Sequence, residues 1–232
     1  MTECLVSDWN KHSASMDLKK QKVHDKLIEL VLSIPNPDRV LEIGAQTGID
    51  AEFLASKGLD VTALDYSDVA IELLKDKRGI KILKADALHL PFEKDAFNLA
   101  YSQGLLEHFR QPELFRLIEE QKRVVRNGGY ILIDVPNANA VLTVLDKQIR
   151  MACKKWIVPW ETQFRPSELK ALGKEHGLEF MRSYSWGYLP YVGRRLDKLA
   201  RLVFDGVYNR FESRFGEYYQ PCIGALFRNR KS

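Results

Sequence analysis

The chain has 232 residues, 45% apolar and 28% charged, the usage of a globular domain with insertions rather than of a disordered chain. Lys and Arg outnumber the acids 35 to 31, yet residues 1–136 sum to −4 and residues 137–232 to +8, so the small net charge of +4 hides a basic second half. No apolar run approaches the ~18 residues that cross a bilayer, and Glu3, Asp8 and Lys11 occupy the place of a secretory leader's apolar core, so a cytoplasmic protein is expected.

Residues 20–34 show helical spacing at Val23, Leu27, Leu30 and Val31 and stop before Pro35 and Pro37. A regular alternation follows. Strands are expected at 39–43, 60–64, 80–84, 96–101 and 130–135. Helices are expected at 50–57, from Ser67 to Gly79, and from Pro112 with Leu114, Leu117 and Ile118 on one face. Short apolar strands alternating with helices predict a doubly wound α/β fold with a parallel sheet covered on both faces.

Beyond residue 136 the pattern loosens. A helix with Leu142, Leu145 and Ile149 leads into Trp156 to Trp160; a helix at 166–176 and a strand at 178–186 follow. Residues 193–211 are expected to form an amphipathic helix, apolar at Leu196, Leu199, Val203, Val207 and Phe211 and basic at Arg194, Arg195, Lys198 and Arg201. A last strand is expected near 218–227. The whole chain reads as one domain, with a helical segment at 1–37 and insertions at 137–165 and 187–217 that cap the acceptor side. Helix 193–211 is read either as a solvated basic face or as a contact with an anionic membrane surface.

In an open parallel sheet, ligands bind beyond the carboxyl ends of the strands, at the switch point beside strand one. The segment there is Glu42-Ile43-Gly44-Ala45-Gln46-Thr47-Gly48. It lacks the middle glycine of the dinucleotide fingerprint G-x-G-x-x-G, and Glu42 would repel a pyrophosphate. A cationic ligand suits Glu42 better, and S-adenosylmethionine carries a sulfonium and an ammonium. Asp65, ending strand two, can accept two hydrogen bonds from a ribose diol, and Asp86-Ala87 suits the edge of an adenine.

At these positions the chain resembles the class I S-adenosylmethionine-dependent methyltransferases, over roughly residues 38–186. The matching segments are Leu-Glu-Ile-Gly-x-x-x-Gly (41–48), Ala-Leu-Asp-Tyr-Ser (63–67) and Lys-Ala-Asp-Ala-x-x-Leu-Pro-Phe (84–92). They continue with Leu-Leu-Glu-His (105–108), Arg-x-x-x-Asn-Gly-Gly (123–129) and Pro-Ser-Glu-Leu (166–169). The pattern is most similar to the branch acting on quinones, lipids and other small metabolites.

The resemblance implies strand order 3-2-1-4-5-7-6 with strand seven antiparallel. It places Gly44, Ala45, Gln46 and Gly48 under the methionine part, Asp65 on the ribose and Tyr66 beside the adenine. Asp86 and Ala87 then fall on the adenine edge, and Ser102 and Gln103 near the methionine. The family usually has glycine at position 46, so Gln46 is a departure.

His108 is a candidate general base near the methyl group, or a packed residue of the helix edge; His12 is a weaker one. Asp134-Val135-Pro136-Asn137 resembles the motif of adenine amino-methyltransferases, but it follows the wrong strand and lacks the second proline. The expected function is methyl transfer from S-adenosylmethionine to a small acceptor, apolar or anionic, with no nucleic-acid partner and no metal. A nicotinamide-dependent oxidoreductase and a catalytically silent cofactor-binding module are the alternatives.

Overall fold

The computed structural model describes residues 10, 23–156, 160–187, 217 and 220–231. Helix 193–211 and His12 lie outside the described residues, as do most of the 187–217 insertion and most of the segment before residue 23.

Seven strands form one sheet: β1 (Arg39–Ile43), β2 (Asp60–Asp65), β3 (Ile80–Lys84), β4 (Phe97–Gln103), β5 (Val125–Pro136), β6 (Leu178–Trp186) and β7 (Cys222–Asn229). Their order is β3-β2-β1-β4-β5-β7-β6. The first five pair in parallel, whereas β7 runs antiparallel to both β5 and β6. The order and the reversed strand are those expected.

Strands β1 and β2 are buried on both sides because both faces of the sheet are covered there, whereas the edge strands β3 and β6 are more exposed. Along β1, Leu41 and Ile43 enter one core with Leu117, Ile118 and Leu169, while Val40 enters the other with Leu27, Val31 and Leu54. The helices supplying these residues are α1 (Asp25–Leu32), α2 (Ile49–Ser56), α4 (Glu113–Val124) and α6 (Pro166–Glu175). Helix α3 (Asp68–Leu74) starts where Ser67 Oγ accepts the Ala70 amide at 3.3 Å. Helix α5 (Val141–Ala152) differs: Val141 is 72% exposed, and the predicted stripe of Leu142, Leu145 and Ile149 is also exposed.

Strand β4 runs on to Gln103 and α3 ends at Leu74, short of Gly79, and the bounds of β5 and β7 also depart from expectation. Strand β5 begins at Val125, not 130, so the Asn127-Gly128-Gly129 turn is drawn into the strand. There the pairing with β4 shifts register between Phe97 and Leu99, and a Cβ on Gly129 would stand 2.8 Å from the Asn98 carbonyl oxygen. Strand β7 starts after Pro221, which has no amide hydrogen for the ladder, and it runs on to Asn229.

Asn229 is fully buried, and its Nδ2 donates to the carbonyls of Lys122 (2.9 Å) and Val125 (2.8 Å) where α4 passes into β5. Truncation would orphan both acceptors. Asn229→Ala is expected to lower stability by about 1–3 kcal/mol in urea unfolding.

Candidate active site

The carboxyl ends of β1, β2, β4 and β5 open on one cleft with two halves that share Gly44, Gln46, Gln103 and Gly104. The smaller half, about 80 Å³, is lined by Asp65, Tyr66, Ala87 and Phe109 among others. The larger half, about 220 Å³, is lined by His24, Glu42, Asp50, Glu107, Asp134 and Trp186 among others.

The smaller half is organised by Asp65. Its Oδ2 accepts the Gln46 amide and its Oδ1 the Ser67 amide, each at 2.9 Å. One carboxylate therefore ties the loop after β1 to the loop after β2. Burial raises the Asp65 carboxyl above its usual range, opposed by the amides of Ser67, Gln46 and Tyr66. Ser67 Oγ donates to Asn10 Oδ1 at 2.7 Å, so residue 10 stands beside this half.

The departure at position 46 has a physical reading. The chain leaves β1 through three left-handed residues, Gly44 (φ 75°), Gln46 (φ 48°) and Gly48 (φ 63°). Glycine takes that conformation freely, whereas a residue with a Cβ pays roughly 1–2 kcal/mol. Gln46 adopts it nonetheless, held by the Asp65 bond, and it borders both halves of the cleft.

The larger half concentrates acid. Register pairs Glu42 on β1 with Tyr101 on β4, which brings a carboxyl and a phenol together on the face that carries Val40. Glu42 is 6% exposed, and its Oε2 is buried without a hydrogen-bond partner. Burial, then the charge of Asp50, pushes Glu42 well above the carboxylate range; Glu107 rises likewise, chiefly by burial. Asp50 is engaged by His24, whose amide donates to Oδ1 at 2.9 Å and whose Nδ1 lies 2.5 Å from Oδ2. Burial, the largest single influence, would lower the His24 imidazole; the bond to Asp50 together with the charges of Asp50, Asp134 and Asp25 outweighs it and raises the pKa.

Asp134 closes the far wall. Its Oδ2 accepts both Tyr184 OH and Trp186 Nε1, each at 2.6 Å. Tyr184 and Asp134 both pair with Gly224, on the strand between them. A Cβ there would stand 2.1 Å from the Tyr184 ring, so the missing side chain is what lets the phenol reach across. Burial, against these two donors, brings the Asp134 carboxyl up to about 7.

Of the residues singled out in the sequence, Glu42, Gly44, Ala45, Gln46, Asp65, Tyr66, Ala87 and Gln103 line the cleft. Four do not. Gly48 turns the chain and packs against Leu74. Asp86 caps its own turn, accepting the Leu88 amide at 2.9 Å. Ser102 is fully buried, its hydroxyl without a partner. His108 sits in the 3-10 turn Leu106–His108 after β4, where Nδ1 donates to the Trp160 carbonyl at 2.9 Å. Folding brings Glu107, His108 and Glu161 within 4.8 Å of one another, a cluster that sequence spacing did not reveal, with Lys147 Nζ 2.8 Å from Glu161.

Sequence reading missed His24, Asp50, Tyr184, Trp186 and Gly224. For Tyr184 and Trp186 the signal was alternation: the even-numbered residues from Tyr130 to Asp134 and from Arg182 to Trp186 share a face within each strand, whereas the register shift between Phe180 and Arg182 sets Phe180 apart. That rule could have placed Tyr184 and Trp186 with Asp134 once the strand order was known.

Residues 41–133 match the family model described as methyltransferase domain. The demethylmenaquinone methyltransferase of Renibacterium salmoninarum is 32% identical over 108 residues, 46% of this chain and 44% of the relative. The ubiquinone biosynthesis O-methyltransferase of Paraburkholderia phymatum is 28% identical, covering 60% of this chain and 64% of the relative. Other relatives, one from Arabidopsis thaliana, are named as tRNA methyltransferases. The chain spans less than half the length of the first curated relatives it matches. Among solved structures, a methyltransferase from a Haloferax volcanii complex with the Trm112 methyltransferase activator superposes with a TM-score of 0.70. It is 16% identical, and the match covers 97% of this chain and 96% of that one.

The cleft generates a pH prediction. Glu42, Glu107, Asp134 and His24 all have folded pKa values above their unfolded ones, so the native state holds more protons. Stability then falls as pH rises through that window. For Asp134 the window runs from the ordinary aspartate value of 3.8 to about 7. Thermal melts of the unliganded protein should fall steadily from pH 5 to pH 8, by roughly 2–4 °C for each kcal/mol lost.

Proposed function

We propose that this chain, whose residues 41–133 belong to the methyltransferase-domain family and whose sheet is that of the class I S-adenosylmethionine-dependent methyltransferases, transfers a methyl group to a small-molecule acceptor. The observation that carries the reading is the cleft's unbalanced acid, above all the buried, unpartnered Oε2 of Glu42. Buried carboxyls without a counter-charge are costly, and a ligand bearing ammonium and sulfonium groups offsets that cost.

S-adenosylmethionine, the cofactor of this family, supplies an electrophilic methyl on a positively charged sulfur. The residues fit it. Asp65, in the smaller half, offers its remaining lone pairs to the ribose hydroxyls. Tyr66, Ala87 and Phe109 form the walls for adenine, and Glu42 faces the ammonium end. Gly44, Gln46 and Gln103 lie where the halves meet, which is where the sulfur belongs. Transfer needs alignment and exclusion of water more than a dedicated base, and a cleft at the strand ends provides both.

Quinone-acting relatives support a small acceptor. The acid lining argues against an acceptor whose reacting end is anionic, although the basic second half of the chain pointed that way. A nucleic-acid acceptor is the second reading, because some relatives are named for tRNA. A cleft rich in carboxyls repels phosphate, which favours the first. A nicotinamide dinucleotide meets the same repulsion. His108, with its Nδ1 committed to Trp160, serves in this reading to hold the wall beside the cleft.

Calorimetric titration should show S-adenosylmethionine and S-adenosylhomocysteine binding and NADH not binding; no heat with either adenosyl ligand would overturn the reading. Asp65→Ala should weaken S-adenosylhomocysteine by about 1–3 kcal/mol, the scale of hydrogen bonds to a charged group. Incubation with labelled S-adenosylmethionine and bulk tRNA should leave the tRNA unlabelled, and labelled tRNA would establish the second reading.

A further inference from the structure

We propose that Asp134 is the proton acceptor for the substrate, and that the substrate presents an aromatic hydroxyl to it. The inference rests on the methyltransferase reading and goes beyond it, from cofactor to chemistry.

Asp134 is 1% exposed yet lines the larger half of the cleft. Tyr184 and Trp186 both donate to Oδ2, which fixes the carboxyl plane and leaves Oδ1 outside this pair of bonds. Register places Asp134 beside Gln103, at the junction of the two halves. The carboxyl thus stands next to the place where the methyl must be delivered.

The surroundings select the ligand. Facing Asp134 are His24 and Asp50, paired with each other, Glu107 from the turn after β4, Tyr184 from β6 and Cys222 from β7. The one basic group among them is already engaged by Asp50, so an anionic ligand finds no partner. An ammonium would pair with Asp134 and keep the very proton that blocks its lone pair. A neutral hydroxyl on an aromatic ring fits instead. Phenols ionise near pH 10, within reach of a buried carboxylate, and the Trp186 ring offers a flat wall, set edge-on to His24 with centroids 4.8 Å apart.

The step balances. The hydroxyl O–H bond breaks and its proton goes to Asp134 Oδ1. The oxygen pair forms the new O–C bond, and the pair of the breaking C–S bond stays on sulfur. Burial supports the role by holding the carboxyl near 7, where it both takes and returns a proton at neutral pH. Tyr184 is then a positioning residue, which aims Asp134 and tempers its basicity.

The test titrates catechol into the protein loaded with S-adenosylhomocysteine, at pH 5.5 and pH 8. The intact chain should bind catechol at least about tenfold tighter at pH 8, where Asp134 accepts rather than donates. Asp134→Asn, which keeps the acceptor for Tyr184 and Trp186, should lose both the tenfold and the pH dependence while binding S-adenosylhomocysteine as before. Tyr184→Phe removes a donor to the carboxylate, so the catechol pH midpoint should move upward with binding retained. Equal catechol binding by Asp134→Asn, absence of catechol binding in the loaded parent, or tighter binding of benzylamine would each overturn the proposal. Failure to load S-adenosylhomocysteine would instead remove the cofactor reading, and this proposal with it.

Discussion

Negative charge gathered where water is scarce is the constraint around which this molecule is arranged. Glu42, Asp50, Glu107 and Asp134 are each at most 6% exposed, and all border one cleft. A folded chain tolerates such a group by pairing it, protonating it or leaving room for a cation. All three solutions are visible. Asp50 is paired with His24, Glu107 and Glu42 are pushed toward the neutral form, and the cleft beside them has space for a positively charged ligand.

The sheet makes that gathering possible. Parallel strands all end on the same side, so residues far apart in sequence, such as Glu42, Asp65, Gln103 and Asp134, arrive at one rim. The antiparallel β7 adds a second contribution. It brings β6 alongside with its aromatic end near the same rim, and Tyr184 and Trp186 become the outer wall. The smaller half of the cleft is lined from the ends of β1 to β4, and the larger half joins the end of β1 to those of β5 and β6.

This division explains what could be read from the sequence. The alternation of strands and helices, the glycine-bordered loop, Asp65 and Ala87 follow from local spacing, because each lies within a few residues of a strand end, whereas the strand order came with the family resemblance. Gln46 was visible as a departure, but its meaning needed the dihedral angle: the site demands a left-handed residue, and the Asp65 carboxylate holds a non-glycine in it. Asp134 was noticed only through a motif that did not apply. Its partners arrive from 50 and 52 residues away, and no local pattern encodes a hydrogen bond that passes over an intervening strand. Asp86 and Ser102 match a pattern by position, while here the Asp86 carboxylate accepts the Leu88 amide of its own turn and Ser102 lies in the interior.

The bare position at Gly224 has a consequence for how the chain is checked as it folds. Side chains in a strand alternate between faces, so a slip of one residue between β6 and β7 would turn Tyr184 and Trp186 away from Asp134. The interior would then hold a carboxyl stripped of both donors, and the edge of the sheet would lose its reason to dock. A misaligned molecule is thereby penalised at the wall of the cleft itself. The two hydrogen bonds on Asp134 thus favour one register of the sheet's edge over its neighbours.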